Sequence, residues 1–291
     1  IDTTVQEKNI TFPTDSKLHR KIIDKCRNIA EKENLPVRQS YTRTLKKLSL
    51  DQRFRNHPRN KWKARKADRK EKTIAGRLVR ELERNLSPDS RYQSDIDLFK
   101  RILNQKKSDK NKIYSVHEPD VQCISKGKEH KKYEFGNKVS IIYTQTTGVI
   151  IGALGFRNPY DGHTIEPALE QTERLLGKRT LKTLIGDRGY KGKRQINDTT
   201  IEIPKPFNNR KQSQYQQNKL KKQFRKRAAI EPINGHLKTD HRLNRNFYKG
   251  IRGDNINVML AAAAFNLKRM MNKLKASFWL EFKIRIVDLI K

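Results

Sequence analysis

Nineteen residues near the middle of the chain, KVSIIYTQTTGVIIGALGF (138–156), decide most of what it can become. Two apolar, β-branched runs flank Thr146-Thr147-Gly148, the composition of a turn between two strands. The second run is apolar almost without interruption from Val149 to Leu154, which suits a strand buried on both faces. Such a sheet needs helices on either side of it. A helical bundle and an all-β sandwich are therefore both excluded.

The flanking sequence supplies those helices. IDTTVQEKNITF (1–12) reads as a first strand, with Asp2 at its start and Pro13 ending it. From Leu18 the period becomes 3.6, and Leu18, Ile22, Cys26 and Ile29 mark one face of a helix ending near Asn34-Leu35-Pro36. Further helices are expected over about 38–54, 61–85 and 93–106, and among them HPRNKWKARKADRKEK (57–72), dense in Lys and Arg, reads equally as a solvated helix face or a phosphate contact. After the hairpin, the loop NPYDGH (158–163) leads to a helix carrying Ile165, Leu169, Thr172 and Leu176, closed by Gly177. LKTLIGD (181–187) and TTIEIP (199–204) read as short strands, the first ending in Asp187 and the second stopped by Pro204. The basic segment 205–227 becomes helical by Tyr215, and an Ala-rich helix covers 254–275. The final SFWLEFKIRIVDLIK suits either core packing or a partner contact. The expectation is an α/β fold, a mixed sheet flanked by helices. Its divisions are a first strand (1–19), a basic helical insert (20–109), the rest of the core (110–275) and an amphipathic tail (276–291).

Charge narrows the partners. Lys and Arg total 66 against 31 Asp and Glu, a formal charge of +35. So large an excess repels itself unless a polyanion neutralises it, and nucleic acid leads. The cations are spread through the whole chain, not gathered on one amphipathic helix, which argues against a membrane surface. No apolar run approaches a membrane span and no signal peptide is visible, so a cytoplasmic location is expected. Cys26 and Cys123 stand far apart, outside any CxxC pair, and His236 with His241 has no cysteine pair to complete a zinc site. No GxxxxGK[ST] loop occurs, so no nucleotide cofactor is expected. The chain opens on Ile1 without methionine, from which an upstream segment is expected to be missing.

Three carboxylates stand out by position. Asp187 ends an apolar strand, at a sheet edge facing a crevice, although an Asx turn with Gly189 and Gly192 close behind explains the same residue. Asp2 sits on the first strand, with Asp15 and Asp120 as alternatives near other strand ends. Glu231 is the sole acid between Ile203 and Thr239. Taken as one helix kinked at Pro232, Phe224, Arg227, Glu231 and Lys238 lie within about 40° of a single line. Surface ion pairing explains that stripe as readily as a metal-and-phosphate site does.

The spacing Arg227, AAI, Glu231, PINGHL, Lys238 resembles the signature of DDE transposases of bacterial insertion sequences, in a subgroup marked by Tyr, Arg, Glu and Lys. Phe224 stands where the tyrosine belongs, keeping the ring without its hydroxyl. IDTTVQEKNITFPTD, KGKEHKKYEFGNKVSI, NPYDGH and GDRGYKG resemble family segments in the family order. The resemblance implies a ribonuclease-H-like core with a helical insert after the first strand. It implies Asp2, Asp187 and Glu231 as a catalytic triad holding Mg²⁺ or Mn²⁺. Arg227 and Lys238 would then contact DNA phosphates, and Phe224, Lys126, Lys128, Arg188 and Lys191 are further residues expected to bind DNA. The expected partners are transposon ends and target DNA, bound by a homodimer near the bacterial nucleoid. The family's helical DNA-binding segment before the first strand is not in this sequence. An inactive DNA-binding remnant and a nuclease that cuts without joining are therefore the rival readings.

Overall fold

The computed structural model describes residues 1–125, 132–177, 181–192, 194–203 and 213–290. The chain divides into two compact units, Ile1–Asn9 with Gln122–Lys291, and Ile10–Val121. The second unit interrupts the first just after its opening strand β1 (Asp2–Lys8). It takes in the whole of the expected insert.

That inserted unit is helical. α1 (Asp15–Lys32) begins where the Thr14 hydroxyl accepts the Lys17 N–H at 3.3 Å, and Asp15 adds an acid to its first turn. It packs with α2 (Thr42–Asp51), α3 (Lys61–Asn85) and α4 (Gln93–Asn104) around Ile22, Ile23, Ile74, Ile96 and Phe99. Cys26 lies in this core, and burial pushes its thiol up to about 12. It behaves as a small apolar side chain.

The first unit holds the sheet. β2 (Gln122–Ser125), β3 (Tyr133–Tyr143) and β4 (Ile150–Phe156) follow, with Gly148 in the left-handed conformation of the turn (φ 64°). β3 is the hub: β1 runs antiparallel along one edge, while β2 and then β4 share the other. A 3₁₀ turn (Asp161–Thr164) leads into α5 (Ile165–Leu176), which Gly177 ends at φ 67°. β5 (Thr183–Ile185), β6 (Gln195–Ile196) and β7 (Thr199–Glu202) form a small sheet of order β5-β7-β6. The Ile1 nitrogen donates to the Ile185 carbonyl at 2.8 Å, which ties β5 to the head of β1. Then come α6 (Gln214–Arg227), α7 (Ile230–Thr239), β8 (Arg245–Asn246), parallel to β1, and α8 (Gly250–Ile290). The expected tail, 276–291, continues from α8 without a break up to Ile290. No helix among the described residues is long and apolar enough to cross a membrane.

Alternation decides which face each residue serves. Val139 and Ile141 meet Ile230, Leu237 and Val258 of α7 and α8. Ile142 turns the other way, toward Ile165, Ala168 and Leu169 of α5. This is the mixed α/β sheet with helices on both faces expected of a ribonuclease-H-like core. β4 has no strand beyond it among the described residues, and side-chain amides take that role. Gln171 exchanges two hydrogen bonds with the Ala153 backbone (3.0 and 2.9 Å), Asn266 does the same at Ile150 (2.9 and 2.8 Å), and Asn255 accepts from Gly155 N–H (2.7 Å).

Two expectations need correction. Phe224 to Lys238 is not one kinked helix. α6 stops at Arg227 and α7 starts at Ile230, because Pro232 has no N–H to offer the Ala228 carbonyl. The Glu231 N–H takes that carbonyl instead, at 3.1 Å, and Pro232 falls in the first turn of α7, where a missing donor costs nothing. Nor does Asp187 end a strand, since β5 stops at Ile185.

Gly136 fixes how closely β3 approaches β1. A Cβ there would overlap the Gln6 carbonyl oxygen and stand 2.8 Å from Glu7 Cα, both backbone atoms of the central strand. Gly136→Ala is expected to cost about 3 kcal/mol or more, since backbone cannot rotate away as a side chain can. Urea unfolding of both proteins measures this.

Candidate active site

Asp2 and Asp187 reach the same end of the sheet by different routes. Asp2 lies opposite Ile141 on the face covered by α7 and α8. There its Oδ2 accepts from Asn234 Nδ2 of α7 at 2.9 Å. Asp187 follows β5 in an Asx turn, its Oδ1 accepting the Gly189 N–H at 2.8 Å. The Asx turn expected of Asp187 is thus present. The turn holds the carboxylate still. Asp2, Asp187 and Arg227 all lie within electrostatic reach of the Ile1 nitrogen.

A further carboxylate, Asp161, joins them from the NPYDGH loop. Its Oδ1 accepts from the Thr3 hydroxyl at 3.1 Å and pairs with Lys138 Nζ at 3.0 Å. The same ammonium donates to the Pro159 carbonyl at 2.7 Å, pinning the loop to β3. Gly189 lies between the acids: a Cβ there would stand 2.9 Å from Asp187 Oδ1 and 3.1 Å from Asp161 Oδ2. Tyr190 is completely buried beside them. Burial first, then the charges of Asp2, Asp161 and Asp187, hold its hydroxyl well above the ordinary tyrosine value. It is a core side chain.

The signature residues are distributed over two helices. Arg227, half-buried, closes α6, and its carbonyl accepts the Tyr143 hydroxyl at 3.2 Å. Burial raises the Tyr143 hydroxyl, with Arg227 opposing the shift and Asp2 adding to it. Glu231 is exposed in the first turn of α7, one turn before the Asn234 that binds Asp2. At that helix end a carboxylate is favoured by the backbone dipole alone. Lys238 lies two turns further on the same line of α7, half-buried, and Phe224 is half-buried on α6. Arg188 and Lys191 are exposed in the turn after Asp187. Lys126 and Lys128 lie outside the described residues. The alternatives Asp15 and Asp120 belong to the inserted unit, Asp15 in the first turn of α1.

Asp2, Asp187 and Asp161 offer only carboxylate oxygen, the donor preferred by hard divalent ions such as Mg²⁺ and Mn²⁺. Among the described residues no three His, Cys, Asp or Glu side chains form a group that could hold an ion. A pair of carboxylates still suits Mg²⁺, which binds through one or two of them and keeps several waters. Sequence reasoning missed Asp161, Thr3, Lys138 and Asn234. NPYDGH was visible as a segment, but nothing in it says that its aspartate folds back onto β1.

Residues 105–267, more than half of the chain, match the family model described as Transposase DDE domain. That span contains Asp161, Asp187, Arg227, Glu231 and Lys238, and Asp2 lies before it. An uncharacterised protein of Rhizobium meliloti, ORF8 in the nfe locus, is 42% identical over 59 residues, which cover 20% of this chain and 28% of that protein. The chain thus spans little more than a quarter of that relative. No solved structure matches. With a ribonuclease-H-like mixed sheet and a family match running from β2 into α8, the chain belongs to the transposase DDE domain family, whose members act on DNA and in general use divalent metal ions.

Proposed function

We propose that this protein is a DNA strand transferase that cleaves phosphodiesters at the ends of a mobile element and joins the freed 3′-hydroxyl to target DNA. The observation that supports the reading is that the Ile1 nitrogen, next to Asp2, donates to the Ile185 carbonyl two residues before Asp187, with both acids within electrostatic reach of the buried Tyr190. Asp2, Asp187 and Glu231 are the residues assigned to Mg²⁺ or Mn²⁺. Ions held there would supply Lewis-acid stabilisation of charge on the attacking and leaving oxygens of a phosphodiester.

The chain's own residues supply position and charge. Asn234 fixes the Asp2 carboxylate and the Gly189 N–H fixes that of Asp187. Asp161 has its charge balanced by Lys138, whereas Asp187 has no ion pair among the described residues. Arg227, Lys238, Arg188 and Lys191 are assigned to DNA phosphates, which draw charge-assisted hydrogen bonds. A plasmid carrying the element's ends, incubated with the protein and Mg²⁺, tests this: joined products are expected. Cleavage without joining would reduce the chain to a nuclease, and neither product would make it a DNA-binding remnant.

Gly189→Ala probes the geometry more finely. The residue does not need positive φ, so the backbone tolerates alanine, but the new methyl presses on both carboxylates. Cleavage is expected to fall between about tenfold and a hundredfold, the cost of displacing a catalytic group by around 1 Å. Thermal melting is expected to move by no more than a few degrees.

A further inference from the structure

We propose that the outward face of α3 in the inserted unit is a DNA-binding surface of its own, gripping duplex phosphates with cations arrayed around Trp62. It rests on the strand-transferase reading only for the identity of the polyanion. Between Arg53 and Lys72 the sequence carries ten Lys or Arg and two acids, a net charge of +8. Both acids are occupied inside the unit. Glu71 is fully buried, accepting from the Ser16 hydroxyl at 2.6 Å and Gln52 Nε2 at 2.8 Å, and it also pairs with Arg20. Asp68 takes Arg55 and Gln52, each at 2.9 Å. Asp51, just before the stretch, neutralises Lys63 at 3.1 Å. The other eight cations form no ion pair among the described residues.

Helical geometry puts this charge on one side. Ala64, Ala67, Glu71, Ile74 and Leu78 are buried and define the inward stripe of α3. At 100° per residue, Trp62 stands about 170° from the centre of that stripe, with Arg65, Lys66, Arg69 and Lys70 within roughly 80° of it on either side. No acid interrupts this outward face from Lys61 to Arg80. Trp62 is 65% exposed, and its only ring contact among the described residues is the Lys66 ammonium, 5.7 Å from the centroid. The helical core gains nothing from a tryptophan there. A solvated face of a soluble helix mixes acids with bases and keeps large rings inside. One that hides its acids and displays its largest ring among cations is built for a phosphate backbone with apolar sugar or base surface beside it.

The test is salt-dependent binding of the full chain to a duplex of about 30 base pairs, read by anisotropy in EDTA. Binding is then independent of whether the chain cuts DNA, so this proposal and the catalytic one fail separately. Arg65→Gln, Lys66→Gln, Arg69→Gln and Lys70→Gln together keep helix propensity, and circular dichroism checks the fold. The slope of log Kd against log salt is expected to shrink by about three to four, at roughly 0.9 for each phosphate no longer neutralised. In a Trp279→Phe background, Trp62 emission is expected to change as duplex is added. An unaltered slope or an indifferent Trp62 overturns the proposal. So does a loss of binding confined to anionic phosphatidylserine vesicles, which would make this a membrane-facing surface.

Discussion

Asp187→Asn is expected to slow metal-dependent strand cleavage about a thousandfold, equivalent to roughly 4 kcal/mol of lost transition-state stabilisation. The fold is expected to survive, because asparagine retains a carbonyl oxygen where Asp187 Oδ1 accepts the Gly189 N–H. Only the negative charge goes. Asp2→Asn is expected to behave alike, since its oxygen can still accept from Asn234. Glu231→Gln separates position from chemistry. Glu231 is exposed, so the substitution removes little beyond an interaction with the start of α7 worth about 0.3–1 kcal/mol. A large loss of cleavage there, with melting almost unmoved, identifies Glu231 as the third carboxylate. If Glu231→Gln cleaves normally while Asp187→Asn does not, the assignment of Glu231 is wrong and Asp161→Asn becomes the decisive variant. Gel assays of strand cleavage beside melting curves read every arm.

The second large effect lies at the other end of β1. Lys8 and Asp254 are almost fully buried, with side-chain exposures of 3% and 2%, and pair at 2.5 Å. Lys8 also donates to the Tyr248 carbonyl at 2.8 Å, and Asp254 accepts from Asn246 at 2.5 Å and from Asn137. One network therefore joins β1, β3, β8 and the first turns of α8. Asp254→Ala leaves an ammonium ion buried without its counter-charge, and is expected to cost about 3–5 kcal/mol. At about 2–4 °C per kcal/mol for a domain of this size, melting falls by roughly 10 °C. Lys8→Met with Asp254→Leu removes both charges and is expected to recover much of that loss. A single variant losing under about 1 kcal/mol contradicts this account of the network.

The sequence made the long elements legible and hid those made by contact. The 3.6 period of Leu18, Ile22, Cys26 and Ile29 and the apolar run Val149–Leu154 announce α1 and β4, because burial of a stripe or of two faces dictates them. β6 and β8 are two residues each, too short for any period, and exist only because a neighbouring strand offers partners. The same limit applies at the candidate site. Asp2 and Asp187 were readable because each belongs to a strand or to the turn leaving one. Asp161 was not, since its approach depends on Lys138 and Thr3, residues with no sequence relation to NPYDGH. The break before α7 was half-visible: Pro232 announces an interruption, but only the Glu231 N–H captured by Ala228 shows where it falls.

The amides of Gln171, Asn255 and Asn266 have an implication for assembly. An open strand edge invites a second molecule to extend the sheet. At Ile150, Ala153 and Gly155 that invitation is already answered by side chains of α5 and α8, so another copy must first displace five good hydrogen bonds to dock its own strand there. Under the proposed strand transfer, two copies that hold paired DNA ends are therefore expected to meet elsewhere than along β4.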